Sequence, residues 1–100
     1  MLDQLTCHSF SALINSTFRI TNGAAEILEA RLLKATPLAG HSKGAANGRE
    51  AFLLWFHVPG AEGWRQKIYA LDHGALGRLD VFLVPIKQEN GGLVFEAVFN

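Results

Sequence analysis

The chain has 100 residues, 49% of them apolar and 18% charged, and its formal net charge is zero. That balance excludes a disordered polar chain and suffices for one domain over residues 1–100 with one core. Lys and Arg number five against four Asp and Glu in residues 1–50, and four against five in residues 51–100, so neither half is the basic arm that non-specific nucleic-acid binding requires.

Taken from the start, Thr6 is placed to cap a short helix over Cys7–Ile14, which would put Phe10, Leu13 and Ile14 on one face as a lid or plug. The run TFRIT, Thr17–Thr21, then alternates Phe18 and Ile20 against Thr17, Arg19 and Thr21 and reads as a strand. Asn22-Gly23 follows as a strong hairpin signal. In Ala24–Ala35 two local rules conflict. Ala, Leu, Glu, Arg and Lys favour helix, while Leu28, Ala30 and Leu32 alternate with Glu29 and Arg31 and would complete the hairpin; the strand is the preferred reading.

Pro37–Gly48, PLAGHSKGAANG, has no periodicity and reads as a surface loop. Strand character resumes at Arg49. There Phe52, Leu54, Phe56 and Val58 share one face, and Leu53, Trp55 and His57 the other. PGAEGWRQ is a second loop, and Ile68–Asp72 a strand in which Tyr69 and Leu71 share a face with His73. In GRLDVFLVPI, Leu79, Val81 and Leu83 oppose Phe82, Val84 and Ile86. Pro85 cannot donate to a ladder, so this strand is expected to end there or lie at an edge. Asn90-Gly91-Gly92 turns into a last strand with Leu93, Phe95, Ala97 and Phe99 on one face. The elements predict an all-β fold: a small antiparallel β-barrel or sandwich of about six strands with one short N-terminal helix. No internal repeat is evident.

Reaction-bearing motifs are weak. The lone Cys7 excludes an intramolecular disulfide and reads as a small buried hydrophobe. None of His8, His41, His57 and His73 has metal-ligand spacing to another His or Cys, so no metal and no cofactor is expected. Ser42, His73 and Asp80 could be written as a triad, but no nucleophile elbow is present. Gly40, Gly44 and Gly48 lack the Lys-Ser/Thr of a phosphate loop. The start lacks the features of a signal peptide, and no stretch reaches the ~20 apolar residues of a membrane span, which places the chain in the cytoplasm with no membrane partner.

One feature departs from a self-contained domain. Leu53, Trp55 and His57 form an apolar second strand face, with Trp64 in a nearby loop. Either the helix or another strand covers Trp55, or this face is an interface to a protein partner or a second copy. A different reading places a small-ligand or hydrolase pocket at a barrel mouth near Tyr69 and His73. In YALDHGALG, however, Asp72 and Gly74 favour a turn, which gives His73 a structural place at a strand end.

Taken together, MLDQLT, Y-x-L-x-H-x-x-L-G at Tyr69–Gly77, FLVP at Phe82–Pro85 and FEAVFN at Phe95–Asn100 resemble, in order and spacing, a family of small bacterial domains of unknown function. This chain differs from the family pattern in carrying Cys7-His8 and Leu53 with Trp55 where more polar residues are usual. The resemblance implies an all-β domain, often encoded beside proteins with a phage-tail-collar domain. It therefore implies an accessory role in assembling or capping a tail-fibre-like structure, incorporation into a larger particle, and no catalytic residues.

Overall fold

The computed structural model describes residues 5–23, 26–38 and 51–99. A short helix, α1 (Cys7–Ser11), precedes six strands: β1 (Thr17–Asn22), β2 (Glu26–Pro37), β3 (Phe52–Pro59), β4 (Lys67–His73), β5 (Gly77–Glu89) and β6 (Gly92–Phe99). They close into an antiparallel barrel in the order β1-β2-β3-β6-β5-β4. The all-β expectation holds, and Glu26–Pro37 is strand, so hairpin pairing overrides the local helix propensity. Asn22 lies opposite Glu26, with Gly23 at φ 68° in the turn. The expected loop from Pro37 to Gly48, with His41, Ser42 and three glycines, lies almost wholly outside the described residues.

Thr6 caps α1 as expected. Its hydroxyl accepts from the Ser9 N–H, and the Ser9 hydroxyl accepts from the Thr6 N–H, a reciprocal box that satisfies two backbone donors. The helix is shorter than the sequence suggests. Asn15 turns at φ 74° and donates to the Leu32 carbonyl, so the chain is committed to β1 and Ile14 faces outward instead of sharing the buried face of Phe10.

Two long strands make the corners of the barrel. β2 pairs with β1 up to Arg31 and with β3 from Arg31 onward, and Leu33 is an extra residue between Leu32 and Lys34. β5 pairs with β4 up to Leu83 and with β6 from Val84, and Ile86 is the extra residue between Pro85 and Lys87. Each bulge bends its strand, so β2 and β5 serve two sheets. One, the β1–β4 sheet, combines β1 and β4 with the first halves of β2 and β5; the other, the β3–β6 sheet, combines β3 and β6 with the second halves. Pro85 therefore does not end its strand. The ladder to β4 has already stopped at Leu83, and the ladder to β6 is interrupted at Ile86, so a missing N–H is tolerated there.

This arrangement repeats. β1-β2-β3 and β4-β5-β6 have the same succession of a short strand, a bulged corner strand and a third strand, and the ring order is unchanged when the two halves are exchanged. A two-fold repeat of topology is thus present where no repeat was evident in the sequence. It relates LEARLLK (28–34) to VFLVPIK (81–87), which share only the final lysine and an apolar alternation.

Inward side chains fill the barrel, with Phe18, Ile20, Leu32, Phe52, Phe56, Leu83 and Phe95 fully buried. Both ends are stoppered by aromatic rings. At one end Phe10 of α1 sits 5.8 Å from Phe52 and 5.6 Å from Phe99, which stack on each other at 4.8 Å. At the other, Trp64 stacks on Tyr69 at 5.4 Å, and Tyr69 meets Phe95 edge-on. Phe10→Ala should therefore cost about 3 kcal/mol by urea unfolding, and Thr6→Ala about 1 kcal/mol. A Phe10→Ala loss below that of Thr6→Ala would show that α1 is an appendage and not a plug.

Candidate functional site

The outer face of the β3–β6 sheet holds three of the residues that the sequence marks as an interface. Trp55 is half-buried, and its cover comes from side chains of the other strands β2, β5 and β6. Its indole N–H donates to Glu96 Oε2 at 2.9 Å, Lys34 Nζ lies 3.8 Å from the ring centroid, and Lys87 Nζ lies 5.4 Å away. Lys34 and Lys87 are the residues that follow the two bulges, so both corners deliver a cation to one aromatic ring. His57 is buried, and its Nε2 donates to the Glu89 carbonyl at 2.8 Å. Val94, opposite His57 in the ladder, is wholly covered although it points outward. The centre of this face is closed by its own side chains.

Its margin is open. After Val84 pairs with Glu96, β5 departs from β6 toward β4. Phe82 and Val98 flank the resulting fork on the outside, 51% and 52% exposed. Leu53 pairs with Val98, and both Leu53 and Val84 are half-buried. The fork thus gathers Leu53, Phe82, Val84 and Val98. Only Leu53 was marked from sequence, yet the signal for the others is there: GRLDVFLVPI is apolar on both faces, as the β3 segment is.

Trp64 does not join Trp55. It lies in the core cluster at the barrel end, with its backbone N–H bonded to the Ala61 carbonyl, so a tryptophan in a Gly-containing loop serves here as a stopper. Tyr69 and His73 both point inward on β4, but toward opposite ends. The Tyr69 hydroxyl donates to the Arg65 carbonyl at 2.6 Å in a cleft with Glu26, Glu62 and Lys67. His73 lines another cleft with Arg19, Glu29 and Asp72.

The hydrogen bonds of His73 fix its chemistry. The Ala75 N–H donates to Nδ1 at 3.0 Å, so the neutral ring carries its proton on Nε2. Nε2 donates to Ser16 Oγ at 3.1 Å, and Ser16 Oγ donates to the Leu13 carbonyl. In that state His73 cannot take a proton from Ser16; it ties the β4–β5 turn to the segment entering β1 and packs its ring 4.5 Å from Phe18. Among the described residues, no three of His, Cys, Asp and Glu converge on a point where an ion could sit, and no helix is long and apolar enough to cross a membrane.

A family model described as "Domain of unknown function (DUF6916)" matches residues 5–99, so the chain belongs to that family. No curated protein matches the chain, and no solved structure does.

Two measurements check the strand β4 assignments. Nitrogen NMR should find Nδ1 of neutral His73 unprotonated in both the native chain and Ser16→Ala, since the Ala75 amide sets the tautomer; a protonated Nδ1 would refute it. Burial pushes the Tyr69 phenol above its ordinary value of 10.0. The native state then keeps a proton that the unfolded chain loses, so this contribution is intact below pH 10 and lost as pH rises through the folded value. Tyr69 is the only tyrosine, so its ultraviolet ionisation can be read directly, and Tyr69→Phe should flatten the alkaline fall in stability.

Proposed function

We propose that this member of a family of unknown function is a non-enzymatic protein-interaction module, an accessory or assembly factor for a phage-tail-collar-like or fibre-like protein. The observation that carries the reading is the apolar fork on the barrel exterior, formed by Leu53, Phe82, Val84 and Val98. The barrel interior is occupied by its own side chains and its ends by its own aromatic rings, which directs recognition to the outer surface. On that surface an exposed cross-strand apolar cluster is the feature that desolvation by a partner would stabilise most.

The partner class comes from the resemblance, in which such domains are often encoded beside proteins with a phage-tail-collar domain. Trp55 lies beside the fork on the same outward face as Leu53, with its ring and indole N–H already engaged by Lys34 and Glu96. The small-ligand reading has less support, because Tyr69 and His73 line separate clefts.

The test is capture of a phage-tail-collar-domain protein of the kind encoded beside such domains. Phe82→Asp and Val98→Asp each replace an outward apolar side chain and should lower capture at least tenfold, about 1.4 kcal/mol, with unchanged circular dichroism. Full capture by both variants would overturn the reading.

A further inference from the structure

The geometry points to self-association of two copies of this chain through the outer face of the β1–β4 sheet, centred on a charged row that lies two rows along β5 from Phe82 of the apolar fork. Register aligns four exposed charged residues in one straight row across four strands. Glu29 of β2 lies opposite Arg19 of β1, Arg19 opposite Asp72 of β4, and Asp72 opposite Arg78 of β5. The signs alternate: minus, plus, minus, plus.

A row of four alternating charges, read backwards, is its own complement. Consider a two-fold axis that runs along the strands between β1 and β4. It sets the row face to face with its reversed copy, so that Glu29 meets the partner's Arg78 and Arg19 meets the partner's Asp72, each contact occurring twice. An axis at right angles in the same plane would set every charge against itself.

The next row, Ile27–Thr21–Ala70–Asp80, is matched by the same operation at its centre only, since Ile27 falls over the partner's Asp80 at each end. Thr21 and Ala70 lie opposite one another beside the axis, and both are short, so the two sheets can approach closely there. One step further along β1 and β4 come Gly23 and Ile68. The axis brings Ile68, 64% exposed, over the partner's Gly23, where a Cβ would meet nothing within 4 Å. The long Glu29 and Arg78 side chains stand at the flanks, where two convex barrels diverge and reach is needed. Zero net charge removes long-range repulsion between copies. A partner of one dominant charge would meet two like charges in this row, whereas a second copy meets none within it; Arg78 also pairs with Asp80 of its own strand at 3.2 Å, and the partner's Glu29 must share or replace that contact.

Each isolated surface ion pair is weak and screened, so the row chiefly sets orientation, and the dimer should weaken as ionic strength rises. Sedimentation velocity on the full chain tests the proposal. The native chain should be a dimer, and Glu29→Arg or Arg78→Glu alone should raise the dimer Kd at least tenfold. The double variant E29R/R78E should restore association. Within one copy these residues are separated by three strand spacings, about 14 Å, so the rescue cannot arise inside a chain. Circular dichroism establishes that each variant is folded. A monomeric native chain, a dimer indifferent to the single reversals, or a double variant no better than the singles would each overturn the proposal. Val98→Asp, on β6 of the other sheet, should leave the dimer intact while lowering capture of a collar-domain protein, so the failure of one reading is distinguishable from the failure of the other.

Discussion

One extra residue in each corner strand governs this barrel. In β2, strict alternation from Leu28, Ala30 and Leu32 would next turn Lys34 into the core; in β5, alternation from Val81, Leu83 and Pro85 would do the same to Lys87. Burial of an unpaired ammonium is among the most costly events in folding. Leu33 and Ile86 each take up one residue outside the register, and the pattern of inward and outward residues reverses beyond them. Lys34 then pairs outward beside Trp55, and Ala35 pairs inward with Leu54. The same insertions bend β2 and β5, so both strands serve two sheets and the barrel closes.

The cover of Trp55 follows from that constraint. Both lysines are turned outward by a bulge, both come from corners of the β3–β6 sheet, and both reach the same ring. An apolar outward face thereby becomes an internal contact on the protein surface, with Glu96 and Glu89 as further anchors. What remains apolar and exposed on this sheet lies at Val98, where β5 leaves β6; Phe82 on the far side of that fork, Ile68 and Ile27 are exposed on the β1–β4 sheet.

Much of the fold is legible in the sequence because it rests on local signals. The Thr6 cap, the Asn22-Gly23 hairpin and the alternation of Phe52, Leu54, Phe56 and Val58 need only neighbours in the chain. The bulges are not legible, since LLK and PIK look like continuations of an apolar strand until closure is imposed. The place of the Trp64 ring is hidden for a similar reason: loop composition describes the backbone of PGAEGWRQ, and only the stacking partner Tyr69 shows where the ring goes. The two-fold repeat is hidden because its halves differ in connection, 38–51 in one and 90–91 in the other, and share a bulge position in place of a motif. At the candidate site, Phe82 and Val84 carry the same two-faced apolar signal as Trp55, and nothing in one dimension ranks which of the two faces its own chain will cover.

The division between the two sheets bears on how such a domain could act in an assembly. The β3–β6 sheet is aromatic, internally bonded and apolar only at its fork, the pattern of a surface that is stable alone and gains by desolvation. The β1–β4 sheet has short residues at its centre, alternating charges across one row, and exposed Ile27, Ile68 and Phe82 in the rows beside it, so its charges set orientation within a partly apolar surface. Such a module can impose a two-fold relation between copies while Leu53, Val84 and Val98 of the fork stay on the other sheet. The forks of such a pair would be related by the same axis, offering a fibre-like partner two identical sites at fixed separation, and simultaneous engagement would raise avidity without any new contact.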